Sequence, residues 1–208
     1  MKNHLKKFLD GYIAFRDKYV HGDQSVMKML SQEGQNPDVM VISCCDSRVD
    51  PALILQCDPG DLFVVRNVAN IVPRYTKSST YQGTSAALEF GVCYLNVKAI
   101  VLLGHSQCGG IDALLCKDDA RQTDFIKNWV SLVKNEAKTQ LSADEYAKYA
   151  LKESYKNCLT FPWIKDRVES GNLDIYLWFF DIKTGQLFTS CNEQKQYEPL
   201  DTCNLEEV

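Results

Sequence analysis

The stretch VMVISCCDSRVDP, residues 39–51, begins as a short apolar run and changes abruptly into two cysteines, an aspartate, a serine and an arginine. A continuous apolar run of this length is expected of a β-strand covered on both faces. The polar loop EGQNPD, residues 33–38, breaks the pattern just before it. Two further runs of the same kind follow. DLFVVRN, residues 61–67, comes after the turn signal Asp58-Pro59-Gly60, and KAIVLLGH, residues 98–105, is the clearest buried strand in the chain.

Between and around these runs the apolar spacing turns helical. Leu5, Phe8, Leu9, Tyr12 and Ile13 alternate with Lys6, Lys7 and Asp10, which predicts one or two amphipathic N-terminal helices. TSAALEFGVCYL, residues 84–95, reads as a helix with Thr80 or Thr84 as N-cap. TDFIKNWVSLVKNEAK (123–138) and SADEYAKYALKESYKNCL (142–159) each open on a Thr or Ser cap, and Phe161-Pro162-Trp163 begins a shorter helix that ends at Gly171. LDIYLWFFDIKTGQLFTS, residues 173–190, predicts a strand, a turn at Lys183-Thr184-Gly185 and a second strand. Uniformly apolar strands alternating with helices argue for an α/β fold, a mostly parallel β-sheet flanked by helices. With 208 residues and neither repeat nor linker, the expectation is one domain over 1–208: a helical arm (1–33), an α/β core (34–190) and a tail (191–208).

Composition narrows the function. Hydrophobic residues at 45% and charged residues at 24% are the proportions of a soluble globular chain, and a formal net charge of -4 offers no basic surface for nucleic acid. The N-terminus carries scattered charges rather than a secretory core, and no apolar stretch reaches the roughly 18 residues of a membrane span. The expectation is a cytoplasmic protein with no nucleic-acid or membrane partner. Nine cysteines, an odd number without disulfide-scaffold spacing, then read mostly as small buried hydrophobes, with a few ligands among them.

Two apolar strands end in ligand-type residues: one in Cys44 and Asp46, the other in His105 and Cys108 within GHSQCGG. Sites in open α/β sheets form at the carboxyl ends of the strands, so both clusters meet in one crevice if the strands are neighbours. Cys44, His105 and Cys108 would supply two thiolates and an imidazole, a set that suits zinc, and three protein ligands leave the open position of a catalytic site. Either half alone is commonplace; their pairing carries the reading. Asp46 and Arg48, two apart on an extended segment, would point the same way, so that the guanidinium keeps the carboxylate ionised. An ionised carboxylate only accepts hydrogen bonds, and can orient a nucleophile beside the metal. Cys45 would point away from Cys44 and pack.

These residues resemble the β-class carbonic anhydrases. CCDSRVDP looks like that family's Cys-x-Asp-x-Arg motif and GHSQCGG like its His-x-x-Cys motif; GQNP, GDLFVVRNVANIVP, GTSAALEFGV and WFFDIKTGQLF extend the likeness over most of 34–188. The resemblance implies one zinc per subunit on Cys44, His105 and Cys108, with Asp46 and Arg48 as the catalytic dyad. It also implies substrate-binding roles for Gln35, Phe63, Val68, Phe90 and Gly109, and reversible hydration of CO2 to bicarbonate by a zinc-bound hydroxide. It further implies a homodimer or higher homo-oligomer such as a homotetramer, with N-terminal helices packed on the partner and the site at the interface. Gln35 and Phe63 then come to each zinc from one chain or the other.

Departures from the family pattern sharpen the expectation. Phe90 stands where Tyr is frequent, which removes a hydroxyl from the substrate pocket. Val41, Ile42 and Ser43 replace the Trp-x-Gly of members inhibited by bicarbonate. The expected state is therefore the open one, with Asp46 a fourth ligand only in a closed inactive form. His4 and His21 read as solvated rather than as proton shuttles, and Tyr94, one turn after Phe90, as core packing. Two alternatives stand beside carbonate dehydratase activity: hydrolysis of carbon disulfide or carbonyl sulfide on the same fold, and a non-catalytic zinc-binding or redox protein with a closed four-ligand site.

Overall fold

The computed structural model describes residues 5–22, 25–77, 82–116, 123–133, 141–190 and 196–200. Helices α1 (Lys6–Tyr19) and α2 (Val26–Glu33) lead into strand β1 (Val39–Cys44). Then follow α3 (Pro51–Ile54), β2 (Leu62–Asn67), α4 (Gly83–Glu89), β3 (Ala99–His105), α5 (Gly109–Leu115) and α6 (Ile126–Val130). The chain closes with α7 (Ala143–Cys158), α8 (Pro162–Glu169), β4 (Asp174–Phe180), β5 (Leu187–Ser190) and the two-residue β6 (Glu198–Pro199).

The six strands form one sheet in the order β2-β1-β3-β4-β5-β6. β2, β1, β3 and β4 are mutually parallel, while β5 and β6 add an antiparallel edge. This is the mostly parallel α/β sheet that the apolar runs predict. β1 and β3 are central, and their side chains alternate between two clusters. Met40, Ile42, Ile100 and Leu102 enter the main core under α7, while Val41, Val101 and Leu103 build a smaller cluster on the opposite face. Each such fully buried aliphatic contributes about 1.5–3 kcal/mol of transfer free energy, which fixes the register of the strands that end at the ligands.

Several local expectations are corrected. β2 is a half-buried edge strand with Val64 38% exposed, since no strand among the described residues pairs with its outer side. The helix of 83–94 starts after Gln82, whose side chain makes no capping bond, rather than on a Thr84 cap; the Thr84 hydroxyl instead accepts from Asn67 Nδ2 at 3.2 Å, and Thr80 lies outside the described residues. From Phe90 to Tyr94 that helix widens into a π turn. α6 starts after Phe125, not at Thr123, and residues 134–138 of its expected extent lie outside the described residues. Part of the tail is docked: Tyr197 packs edge-on against Phe179, and Lys148 lies 4.7 Å over the Phe179 ring and 5.4 Å over that of Tyr197. Among the described residues no helix is long and apolar enough to cross a membrane.

Candidate metal centre

The chain passes from β1 to β2 on one side and then to β3 on the other, so the order reverses between β1 and β3. The crevice at the carboxyl ends of such a pair is where α/β sheets hold ligands. Cys44 is the last residue of β1, His105 the last of β3, and Cys108 caps α5 immediately beyond. Their ligand atoms all lie within 4.8 Å of one another, and all three residues are buried; among the described residues this is the group of His, Cys, Asp or Glu side chains that can hold a metal ion.

The donor chemistry fits a soft dication. The Cys44 and Cys108 sulfurs stand 3.9 Å apart. Hydrogen bonding between them lowers the pKa of Cys44 and raises that of Cys108, so the pair shares one proton and only a bound cation would let both ionise. His105 Nδ1 lies 2.8 Å from the Ser106 carbonyl, which can only accept, so Nδ1 carries the proton. Its Nε2 is buried with no hydrogen-bond partner, a lone pair presented to the cluster.

Asp46 lies beside this group and outside it. Its Oδ1 accepts from Arg48 Nε at 3.0 Å and its Oδ2 from Arg48 Nη2 at 2.8 Å, a bidentate pair. That guanidinium holds the Asp46 carboxyl well below the usual carboxylate range. The geometry differs from the extended segment expected. β1 stops at Cys44 and the backbone turns, with Val49 N–H donating to the Asp46 carbonyl at 3.1 Å and Arg48 N–H to Asp46 Oδ1 at 3.0 Å. The turn, not strand alternation, brings the two side chains together. It also corrects Cys45, which is exposed rather than packed, because the alternation that would bury it has ended.

Arg66 carries weight that no motif flagged. From β2 it donates to the Cys44 carbonyl at 3.0 Å, to the Asp46 carbonyl at 2.8 Å and to Asp50 Oδ2 at 2.7 Å, and so clamps the loop that bears Asp46. One charged residue inside an apolar strand was the available signal. Asp50 in turn caps α3 through Ala52 N–H at 3.1 Å, with Pro51 at the first helical position.

The remaining candidates divide. Val68 adjoins the metal end: its carbonyl accepts from Trp129 Nε1 at 2.7 Å, and its side chain packs on the backbone at Gly110 beside Gly109. Gln35, Phe63 and Phe90 belong to the other end of the sheet. Gln35 is exposed in the loop before β1. Phe63 pairs in register with Met40, four residues before Cys44, a separation of about 13 Å at strand rise. Phe90 stacks on Tyr94 (5.6 Å) and meets Phe63 at a tilt (5.8 Å), and Tyr94 is 76% exposed rather than in the core. His21 is exposed and sits 3.1 Å from Asp17, while His4 lies outside the described residues.

Comparison with known proteins agrees with this geometry. The carbonic anhydrase family model matches residues 39–187, more than two thirds of the chain. A chloroplastic β carbonic anhydrase 5 of Arabidopsis thaliana is 36% identical over 196 residues; the match covers 88% of this chain and 62% of that protein's length. The solved β-carbonic anhydrase CcaA superposes with a TM-score of 0.82 at 30% identity, over 95% of this chain and 92% of the other. One of two tetrameric β-carbonic anhydrases of Sordaria macrospora superposes at 0.73, with 28% identity and coverage of 97% and 98%.

Proposed function

Because the chain belongs to the β-class carbonic anhydrase family, we propose that it catalyses the reversible hydration of CO2 to bicarbonate and a proton, with zinc held by Cys44, His105 and Cys108. Zinc is the cofactor of this family, and the buried donor trio fits it. The observation that carries the reading is an arginine-held carboxylate beside three converging soft ligands, with no fourth ligand among the described residues. What zinc supplies when bound is Lewis acidity, which makes water a nucleophile at neutral pH.

The chain's own residues do the rest. Asp46, held ionised by Arg48, can only accept a hydrogen bond, so it would receive one from the O–H of the nucleophilic water and turn that oxygen's lone pair toward the carbon. Arg48 also donates to the Gln107 carbonyl at 3.1 Å, which fixes the dyad to the loop that carries Cys108. Val68, packed close on the backbone at Gly110 next to Gly109, offers an apolar wall that suits uncharged CO2 and favours release of the bicarbonate anion.

We place Gln35, Phe63 and Phe90 in the site of a partner chain. They lie at the end of the sheet away from the ligands of their own chain: Phe63 and Phe90 pack together at the open edge formed by β2, and Gln35 is exposed in the loop that enters β1. α1 supports a homo-oligomer: it buries none of its residues, and Phe8, Tyr12 and Ile13 are each more than half exposed. A relative of known structure is tetrameric. A reducing compartment such as the cytoplasm suits a site that needs two free thiols.

The test is oxygen-isotope exchange between CO2 and water by the zinc-loaded protein. Exchange well above buffer is expected, with Asp46→Asn reduced by about 10–100-fold and zinc retained, and Cys108→Ser inactive through loss of metal. Wild-type protein no faster than buffer would sink the reading.

A further inference from the structure

Asp144 belongs to no motif, yet it reaches the catalytic loop. It lies in the first turn of α7, whose N-terminus is already satisfied: Ser142 Oγ accepts the Glu145 N–H at 3.3 Å, and Glu145 Oε2 accepts the Ser142 N–H at 2.8 Å. The Asp144 carboxylate instead crosses to the loop between His105 and Cys108, where Oδ1 accepts the Gln107 backbone N–H at 2.9 Å. Gln107 has φ +55°, in the left-handed region that a side chain with a Cβ keeps only when its surroundings enforce it. On its other side the Gln107 carbonyl accepts from Arg48 Nη2 at 3.1 Å, and the same Nη2 donates to Asp46 Oδ2 at 2.8 Å.

The neighbouring residue of the loop is fixed independently. Ser106 Oγ donates to Asp181 Oδ1 at 3.2 Å and accepts the Ile182 N–H at 2.9 Å, and its backbone N–H reaches the Phe180 carbonyl at 2.9 Å. Removing the Asp144 contact would therefore leave His105 and the start of α5 in place and free only the Gln107 peptides to rotate. The carbonyl that anchors Arg48 would move with them.

We propose that Asp144 is a positioning residue for the reaction: it holds Gln107 in its left-handed conformation, and through the Gln107 carbonyl and Arg48 it sets the aim of the Asp46 carboxylate. This rests on the proposed CO2 hydration. An acidic residue serving only the α7 dipole would act by its charge. A positioning residue acts by its acceptor oxygen, which asparagine keeps and alanine removes.

The experiment uses the full-length zinc-loaded protein with Asp144→Ala and Asp144→Asn, each in the wild-type and the Asp46→Asn backgrounds. It measures CO2 hydration kinetics and, by NMR, hydrogen exchange at Arg48 Nε–H. Asp144→Ala is expected to lower kcat about tenfold with KM unchanged and to speed Arg48 exchange by a similar factor, while Asp144→Asn stays within about twofold of wild type on both. In the Asp46→Asn background Asp144→Ala should cost nothing further in kcat. Equal damage from both variants, or a full additional loss beside Asp46→Asn, would overturn the proposal. So would unmoved Arg48 exchange in Asp144→Ala, whatever the substrate proves to be. A wild type inert toward CO2, with Arg48 exchange that answers to alanine and not to asparagine, would refute the hydration reading and leave the linkage standing.

Discussion

At Gly110 the absence of a side chain decides how closely the metal end can pack. A Cβ there would meet Val68 Cγ1 at 2.7 Å, Ala69 Cβ at 3.0 Å and the Ala69 backbone nitrogen at 3.3 Å. Val68 can rotate, but Ala69 cannot yield without its backbone, which is itself left-handed at φ +62°. Gly110→Ala is expected to cost about 1–3 kcal/mol in denaturant unfolding and to lower hydration activity by displacing Val68. Gly109→Ala meets nothing within 4 Å and should stay within about 0.5 kcal/mol of wild type in the same measurement. Equal stability of the two variants would refute the close approach. At this scale the sequence was readable where residue type sets the geometry, as in the convergence of Cys44, His105 and Cys108 and the pairing of Asp46 with Arg48, whose roles are those proposed above. Gln107 and Asp144 were invisible because they act through a backbone N–H and a carbonyl, which leave no signature in residue identity. Cys45 was misread because strand alternation was carried one residue beyond the strand.

Elements show the same division between pattern and context. The buried strands declared themselves as apolar runs, and Ser142 declared the start of α7 through its capping box. The edge position of β2 and the π turn at Phe90 were not readable, since each depends on what stands beside the element rather than on its own spacing. Removing the cap, Ser142→Ala, should cost about 1 kcal/mol in denaturant unfolding, with Ser142→Thr close to wild type; no loss would mean that tertiary packing alone sets the start of α7. α1 offers a pH-dependent case. Its end is tied to the turn before β2 by Tyr19 OH, which donates to Asp58 Oδ1, and by Lys18 Nζ at 3.1 Å from the same oxygen. Those hydrogen bonds, Tyr19 first, lower the Asp58 pKa. A lowered folded pKa means stabilisation that is complete above the unfolded carboxylate value of about 4 and is lost as pH falls through the folded value. The stability gap between wild type and Asp58→Asn is therefore expected to hold constant from about pH 5 to 8 and to close in acid. Taking the difference cancels the acid release of zinc common to both proteins. A gap that widened in acid would contradict the assignment.

In the whole molecule Phe63 stands at the end of the sheet away from the ligands, and α1 presents an apolar side that no described residue buries. A 14-residue helix with no buried residue has little stability of its own, which supports the proposal that its apolar side packs on a second chain. If that chain also lends Gln35 and Phe63, two inactive variants should repair each other. A Gln35→Ala/Phe63→Ala chain keeps its ligands but would spoil its partner's pocket; a Cys108→Ser chain loses its metal but still lends an intact pocket. Each homodimer has two defective sites, whereas the mixed dimer has one site with both defects and one with none. Random exchange at equal amounts makes half of the dimers mixed, so activity should rise from near zero to about a quarter of wild type per chain. Zinc content after mixing should equal the mean of the two parents, which separates shared pockets from any rescue of metal binding. Activity that stays at the mean of the two inactive parents, in a mixture shown by mass to contain the mixed dimer, would mean that each chain completes its own site. The 13 Å or so between Phe63 and Cys44 along the strand would then have to be closed by a movement within the chain.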